Sequence, residues 1–182
     1  MSEQNLAGKA ALITVGARGL GRGYALRLAG LGADIAIIDR NLKAADVYEF
    51  EKELMTADSV MAECQALGVR TKGLEVDLTE RAATEKSMAE ISAELGSIDI
   101  AVSNAGGGTA VFADERDAST EANDTQDLVT TGLPSDTSEE MLTRVLDINV
   151  KTCMNTCMPV APYMKKQGGG CKLPLLVERF VD

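Results

Sequence analysis

Apolar and polar positions fall into alternating short and long blocks along the chain. The short blocks are apolar and partly β-branched: KAALITV at 9–15, ADIAIID at 33–39, VRTKGLEVDL at 69–78 and IDIAVSNAG at 98–106. Runs of this length, bounded by Gly and polar residues, predict strands. After the first of them Leu20, Tyr24, Leu28 and Leu31 recur at helical spacing, and Gly30 and Gly32 mark the end of that helix. Residues 41–67 are helix-compatible for most of their length, with a break expected near Thr56–Ser59 and a stop at Gly68. Residues 80–95 form another amphipathic helix, stopped by Gly96. Strand and helix therefore alternate, which predicts an α/β fold of Rossmann type: a doubly wound parallel sheet with right-handed crossovers and helices on both faces.

The pattern changes after residue 106. Residues 107–137 have little periodicity, carry Gly132 and Pro134, and read as a surface loop or lid inserted in a single domain spanning 1–182. A long helix is expected over 138–166, with Ser, Thr and acidic residues at its start, and Pro159 and Pro162 are expected to kink it or end it early. Three glycines at 168–170 stop it. The final stretch, CKLPLLVERFVD, is apolar but interrupted by Pro174, which makes it a poor central strand.

Composition agrees with this architecture. Of the 182 residues 45% are apolar and only 3% aromatic, so small side chains can let helices lie close on a sheet. The net charge of −10 is concentrated: residues 107–140 hold nine acidic residues and one basic one, Arg116. No basic face remains for phosphate-backbone recognition, which argues against nucleic-acid binding. Four cysteines (Cys64, Cys153, Cys157, Cys171) without a histidine make a metal site an unfavoured reading. Cys153 and Cys157, one helical turn apart, read as small half-buried side chains. No apolar stretch reaches the ~20 residues of a membrane helix, and the chain reads as a cytoplasmic protein of a reducing compartment.

The chemistry begins where the first strand breaks into glycines. Backbone N–H groups at a helix start point at an anion, and absent side chains let it approach; Gly16, Gly19, Gly21 and Gly23 are the candidates. Tight helix-strand packing would also explain them. Asp39 stands 20 residues after Gly19 at the end of the second strand, where a carboxylate can accept both adenosine-ribose hydroxyls. It would repel a 2′-phosphate, so NAD fits better than NADP, although Arg18 and Arg40 could pair with such a phosphate.

TVGARGLG at 14–21, Asp39, VDLT at 76–79, SNAG at 103–106 and DINVK at 147–151 occur in the order and spacing of short-chain dehydrogenases/reductases. The chain resembles that family from residue 9 to about 170. The resemblance implies a nicotinamide cofactor and hydride transfer to or from a small secondary alcohol or ketone. It implies that Gly19 and Gly21 lie at the pyrophosphate and Asp77 meets the adenine, with Thr14, Gly16, Arg18, Leu20, Asp39, Arg40 and Leu78 also among the cofactor-binding residues. Asn104, Ala105 and Gly106 would pass beside the cofactor, and Asn149 resembles the Asn that holds a water in the family's proton relay. It also implies a homo-oligomer built on the 138–166 helix.

Two departures from the family pattern stand out. Val15 occupies the first glycine of Thr-Gly-x-x-x-Gly-x-Gly, and a β-branched residue is strongly disfavoured at positive φ. The turn must therefore shift onto Gly16 or accept strain of about 1–3 kcal/mol. Second, the family places a fifth strand ending near a catalytic Ser, then a helix with Tyr-x-x-x-Lys, after the triple glycine. Neither is read here, so the chain reads as a shortened or frame-altered product, or as one whose missing strands come from elsewhere, with an exposed apolar edge on the fourth strand. Tyr48 with Lys52 matches the spacing but falls between the second and third strands, and Tyr163 with Lys166 has the wrong spacing. The alternative is a non-catalytic dinucleotide-binding or oligomerising chain.

Overall fold

A computed structural model describes residues 5–47, 49–107 and 138–174. Tyr48 and the acidic insertion from 108 to 137 lie outside the described residues. The elements are β1 (Ala10–Thr14), α1 (Gly19–Gly30), β2 (Asp34–Asp39), a 3-10 turn (Ala44–Val47), α2 (Glu49–Glu53), α3 (Val60–Ala66), β3 (Thr71–Glu75), α4 (Arg81–Leu95) and β4 (Ile100–Ser103). They continue with α5 (Glu139–Leu146), a π-helical turn (Asp147–Lys151), α6 (Thr152–Lys166) and β5 (Cys171–Pro174).

The strands form one parallel sheet in the order β3-β2-β1-β4-β5. All five residues of β1 and five of the six in β2 are buried, as near-continuous apolar runs must be when helices cover both sheet faces. Successive side chains alternate between faces. Leu12 and Ile38 face Met88 and Ile91 of α4 and Val160 of α6, whereas Ile13, Ile35 and Ile37 face Ala25 and Ala29 of α1 with Val60 and Cys64 of α3. The alanines on α1 bring its backbone close to the sheet, which places the start of that helix over the end of β1. The chain turns back between β1 and β4, so a crevice opens at the C-terminal ends of those two strands, the place where such sheets take ligands.

Three segments differ from the reading of the sequence. Between 41 and 67 the expected break at Thr56–Ser59 is present, with Ser59 Oγ accepting from the Ala62 N–H as the cap of α3. The rest of that segment holds only the 3-10 turn and two short helices. The prolines do not end the last helix: α6 runs through Pro159 and Pro162 to Lys166. Pro159 is buried and α6 packs on α4 and β4, so tertiary burial outweighs the local preference. The helical ladder changes earlier, at the π turn. Finally, β4 is not an open edge. Cys171–Pro174 pairs with Ile100–Ser103 in parallel, and Pro174 is tolerated because β5 has no further neighbour among the described residues.

Candidate cofactor site

The turn after β1 is strained at the residue the sequence singles out. Val15 has φ 51°, the only positive φ at a described residue other than glycine. The turn has therefore not moved onto Gly16; it accepts the cost at Val15. The residue is held from both sides: its N–H donates to the Ile38 carbonyl at 2.7 Å, and its own carbonyl accepts from Asn104 Nδ2 at 3.2 Å. Overdetermination of this kind is what lets a disfavoured backbone persist. Gly21 is required next to it, because a Cβ there would overlap the Val15 carbonyl oxygen. Gly16 is confined by Ile37, whose Cγ2 would stand 2.9 Å from a Cβ. Gly23 faces open space and is not demanded by packing. Arg18, Gly19 and Leu20 face outward at the head of α1, where free first-turn N–H groups and the helix dipole suit an anion.

Asp39 lies beside this turn, 6% exposed at the end of β2. Its Oδ2 accepts from the Ala17 N–H at 3.1 Å and its Oδ1 from the Asn41 N–H at 3.2 Å. Burial raises its pKa, and the N–H donors of Ala17, Asn41 and Arg40 with the Arg18 charge only partly offset that rise. Arg40 is exposed next to it. A cavity of about 350 Å³ adjoins the turn at Ala17, walled in part by Lys43 and Lys52. At the end of β3, Asp77 is exposed and its Oδ1 accepts from the Thr79 N–H and hydroxyl. Burial works against its charge, but these bonds, with Arg40 and Lys151 nearby, leave its pKa below the ordinary value. Leu78 turns into the core.

The third wall comes from the end of β4. Thr14 is fully buried, and its Oγ1 accepts the N–H groups of Asn104 at 2.9 Å and Ala105 at 3.1 Å. It thus works as a brace between β1 and β4. Asn149, in the π turn, closes on the same segment: Oδ1 accepts from the Gly107 N–H at 3.1 Å, and Nδ2 donates to the carbonyls of Gly107 and Val145, each at 2.9 Å. A Cβ on Gly106 would stand 2.6 Å from Asn149 Oδ1, so Gly106 is what lets Asn149 approach. Isolated π turns inside α-helices frequently mark functional sites.

The structure gathers Val15–Gly21, Asp39, Asn104–Gly107 and Asn149 around one crevice. It leaves the two described tyrosines elsewhere: Tyr24 packs beside the α1 face of the sheet, and Tyr163 lies with Gly96 and Lys166 at the opposite end of the strands. Reading the sequence missed three working residues. Asn155, 4% exposed on α6, donates to the carbonyls of Leu78 and Thr79 and fixes the loop after β3. Glu63 accepts two bonds from Arg22 and two from Thr56, tying α1 to α3. Glu51, from α2, reaches the head of α1. Only Asn155 left a signal, an amide on the buried face of α6 beside Pro159 and Val160.

A family model described as short chain dehydrogenase matches residues 9–171. The chain belongs to the short-chain dehydrogenase family. A cyclohexanol dehydrogenase of Rhodococcus sp. (strain TK6) is 36% identical over 165 residues, which cover 91% of this chain and 55% of that one. A short chain dehydrogenase of Mycobacterium paratuberculosis, solved bound to NAD, superposes with a TM-score of 0.65 at 29% identity, covering 92% of this chain and 55% of the other. A short-chain type dehydrogenase/reductase of Mycobacterium marinum gives 0.67 at 28%, covering 93% and 56%. This dehydrogenase chain spans about half the length of these relatives. Its parallel sheet with helices is the Rossmann-type fold of that family. No helix among the described residues is long and apolar enough to cross a membrane.

Proposed function

We propose that this chain is the NAD(H)-binding part of an oxidoreductase that moves hydride between nicotinamide and a small secondary alcohol or ketone. The observation that carries the reading is the buried Asp39 carboxylate, fixed against the glycine turn by the Ala17 N–H; a carboxylate at the end of the second strand favours two ribose hydroxyls over a 2′-phosphate. Arg18, Gly19, Leu20 and Gly21 offer the head of α1 to the pyrophosphate, with Gly16 behind them. Asp77 flanks the adenine, with Leu78 buried behind it. Asn104, Ala105 and Gly106, braced by Thr14, bound the nicotinamide side, and Asn149 sets that wall's position. When bound, the cofactor supplies the hydride; these residues bind it, orient it and exclude water from one side. The cyclohexanol dehydrogenase relative supports an alcohol as substrate.

The long helix supports self-association. Leu142, Leu146, Val150, Met154 and Met158, each about half exposed, follow one another at four-residue spacing along α5, the π turn and α6. A second copy of the chain fits this stripe. Cysteines free throughout the described residues suit a cytoplasmic setting.

A second reading, a dinucleotide-binding chain without catalysis, is favoured by the position of Tyr24 and Tyr163 away from the crevice. Incubation with NAD+ and a panel of secondary alcohols, read as NADH absorbance, separates the two. Turnover supports the oxidoreductase; cofactor binding without turnover supports the second reading.

A further inference from the structure

α1 begins without a cap of its own. Arg18 stands at the N-cap with no side-chain cap bond, and the first turn contains no acidic residue. The partial positive charge of that helix end is therefore left to be met from outside. Glu51 meets it. Its Oε1 lies 3.5 Å from where a Cβ of Gly19 would stand, and its Oε2 is 3.8 Å from Arg18 Nε. The side chain is 12% exposed, and Oε2 is enclosed without any hydrogen bond. A carboxylate oxygen in that state has lost water and keeps a charge pairing with Arg18 but no hydrogen bond in return, so solvent can compete for it. Its carrier can move as well, since α2 is a five-residue helix that buries none of its residues.

We infer that Glu51 is a resident anion at the head of α1, occupying the place of a cofactor phosphate until a dinucleotide displaces it. The inference rests on the dinucleotide reading above. Two anions cannot occupy one place beside Gly19 and Arg18, so the tethered carboxylate competes with the pyrophosphate, and apparent affinity falls with the fraction of molecules in which Glu51 is in place. On displacement Oε2 regains water. Glu51 thereby sets how tightly the site holds its cofactor without touching the ribose or the nicotinamide.

The test is a calorimetric titration of wild type, Glu51→Gln, Glu51→Ala and Glu53→Gln with NADH, ADP-ribose and adenosine, each protein first checked for a cooperative thermal melt. Glu53 is exposed on the same helix, so its variant makes the same charge change away from the site. Both Glu51 variants should bind NADH and ADP-ribose about three- to tenfold more tightly than wild type. Adenosine, which has no phosphate, should bind unchanged, and Glu53→Gln should match wild type. Wild-type affinity in both Glu51 variants, or equal tightening in Glu53→Gln, overturns the inference and leaves the cofactor reading standing. Failure of all four proteins to bind NADH overturns both.

Discussion

The side-chain amide of Asn104 donates to the carbonyl oxygen of Val15 at 3.2 Å, joining the end of β4 to the one described residue other than glycine with positive φ. The glycine turn after β1 is thus held in shape by a residue at the end of the strand beside it. Val15 is strained for its chemistry, not for its position: an L side chain there crowds its own backbone, and glycine does not.

Replacing Val15 should therefore reverse the usual order of substitutions. Val15→Gly should be more stable than Val15→Ala by about 1 kcal/mol. In a thermal melt that is about 2–4 °C for a chain of this size. An alanine variant equal to or above the glycine variant would mean that φ at this position is not a constraint.

Thr14 braces β1 against β4 with a single oxygen. Thr14→Val keeps the shape but strands the buried N–H groups of Asn104 and Ala105, at a cost of about 2–4 kcal/mol. Thr14→Ser keeps the acceptor and should lose only about 1 kcal/mol for the methyl group. Denaturant unfolding of the three proteins checks the order.

Glu63 carries an acid dependence whose sign follows from its partners. Burial opposes its charge, but the Arg22 guanidinium and the Thr56 N–H and hydroxyl outweigh burial and hold its pKa below the usual 4.5. The unfolded chain therefore takes up the proton first as pH falls. Stability from this contact is complete above pH 4.5 and is lost as pH drops through that value toward the depressed one. Glu63→Gln should melt well below wild type at pH 7, and the gap should narrow steadily in melts run below pH 4.5.

The stripe along α5 and α6 predicts the state of assembly. Val150→Asp or Met154→Lys, placed at half-exposed apolar positions, should convert an oligomer to a smaller species in light scattering, with the helical circular dichroism signal retained. An unchanged mass would remove this face as the interface.

The alternation of strands and helices was legible because burial on both sides of a sheet forces uninterrupted apolar runs such as AALIT and DIAIID. Gly21 and Gly106 were legible as candidate positions, and the structure shows why they are glycine: a Cβ has no room at either. What escaped was tertiary. Pro159 stays inside α6 because α4 and β4 pack on it, and β5 forms because β4 offers it a free edge. Glu51 and Glu63 look like ordinary surface charges in a polar segment, and only the fold brings them to the first turns of α1.

The central claim, that a dinucleotide sits at the head of α1 against Asp39, is tested most directly by titrating NADH into wild type, Gly21→Ala and Gly23→Ala. Wild type should bind saturably, and NADH more tightly than NADPH. Gly21→Ala should lose binding, because its Cβ meets the Val15 carbonyl, whereas Gly23→Ala, open on its helix, should bind as wild type does and gain about 1 kcal/mol of stability, a melt about 2–4 °C higher. Absence of saturable NADH binding by the folded wild-type chain, or binding that Gly21→Ala leaves intact, would contradict the account.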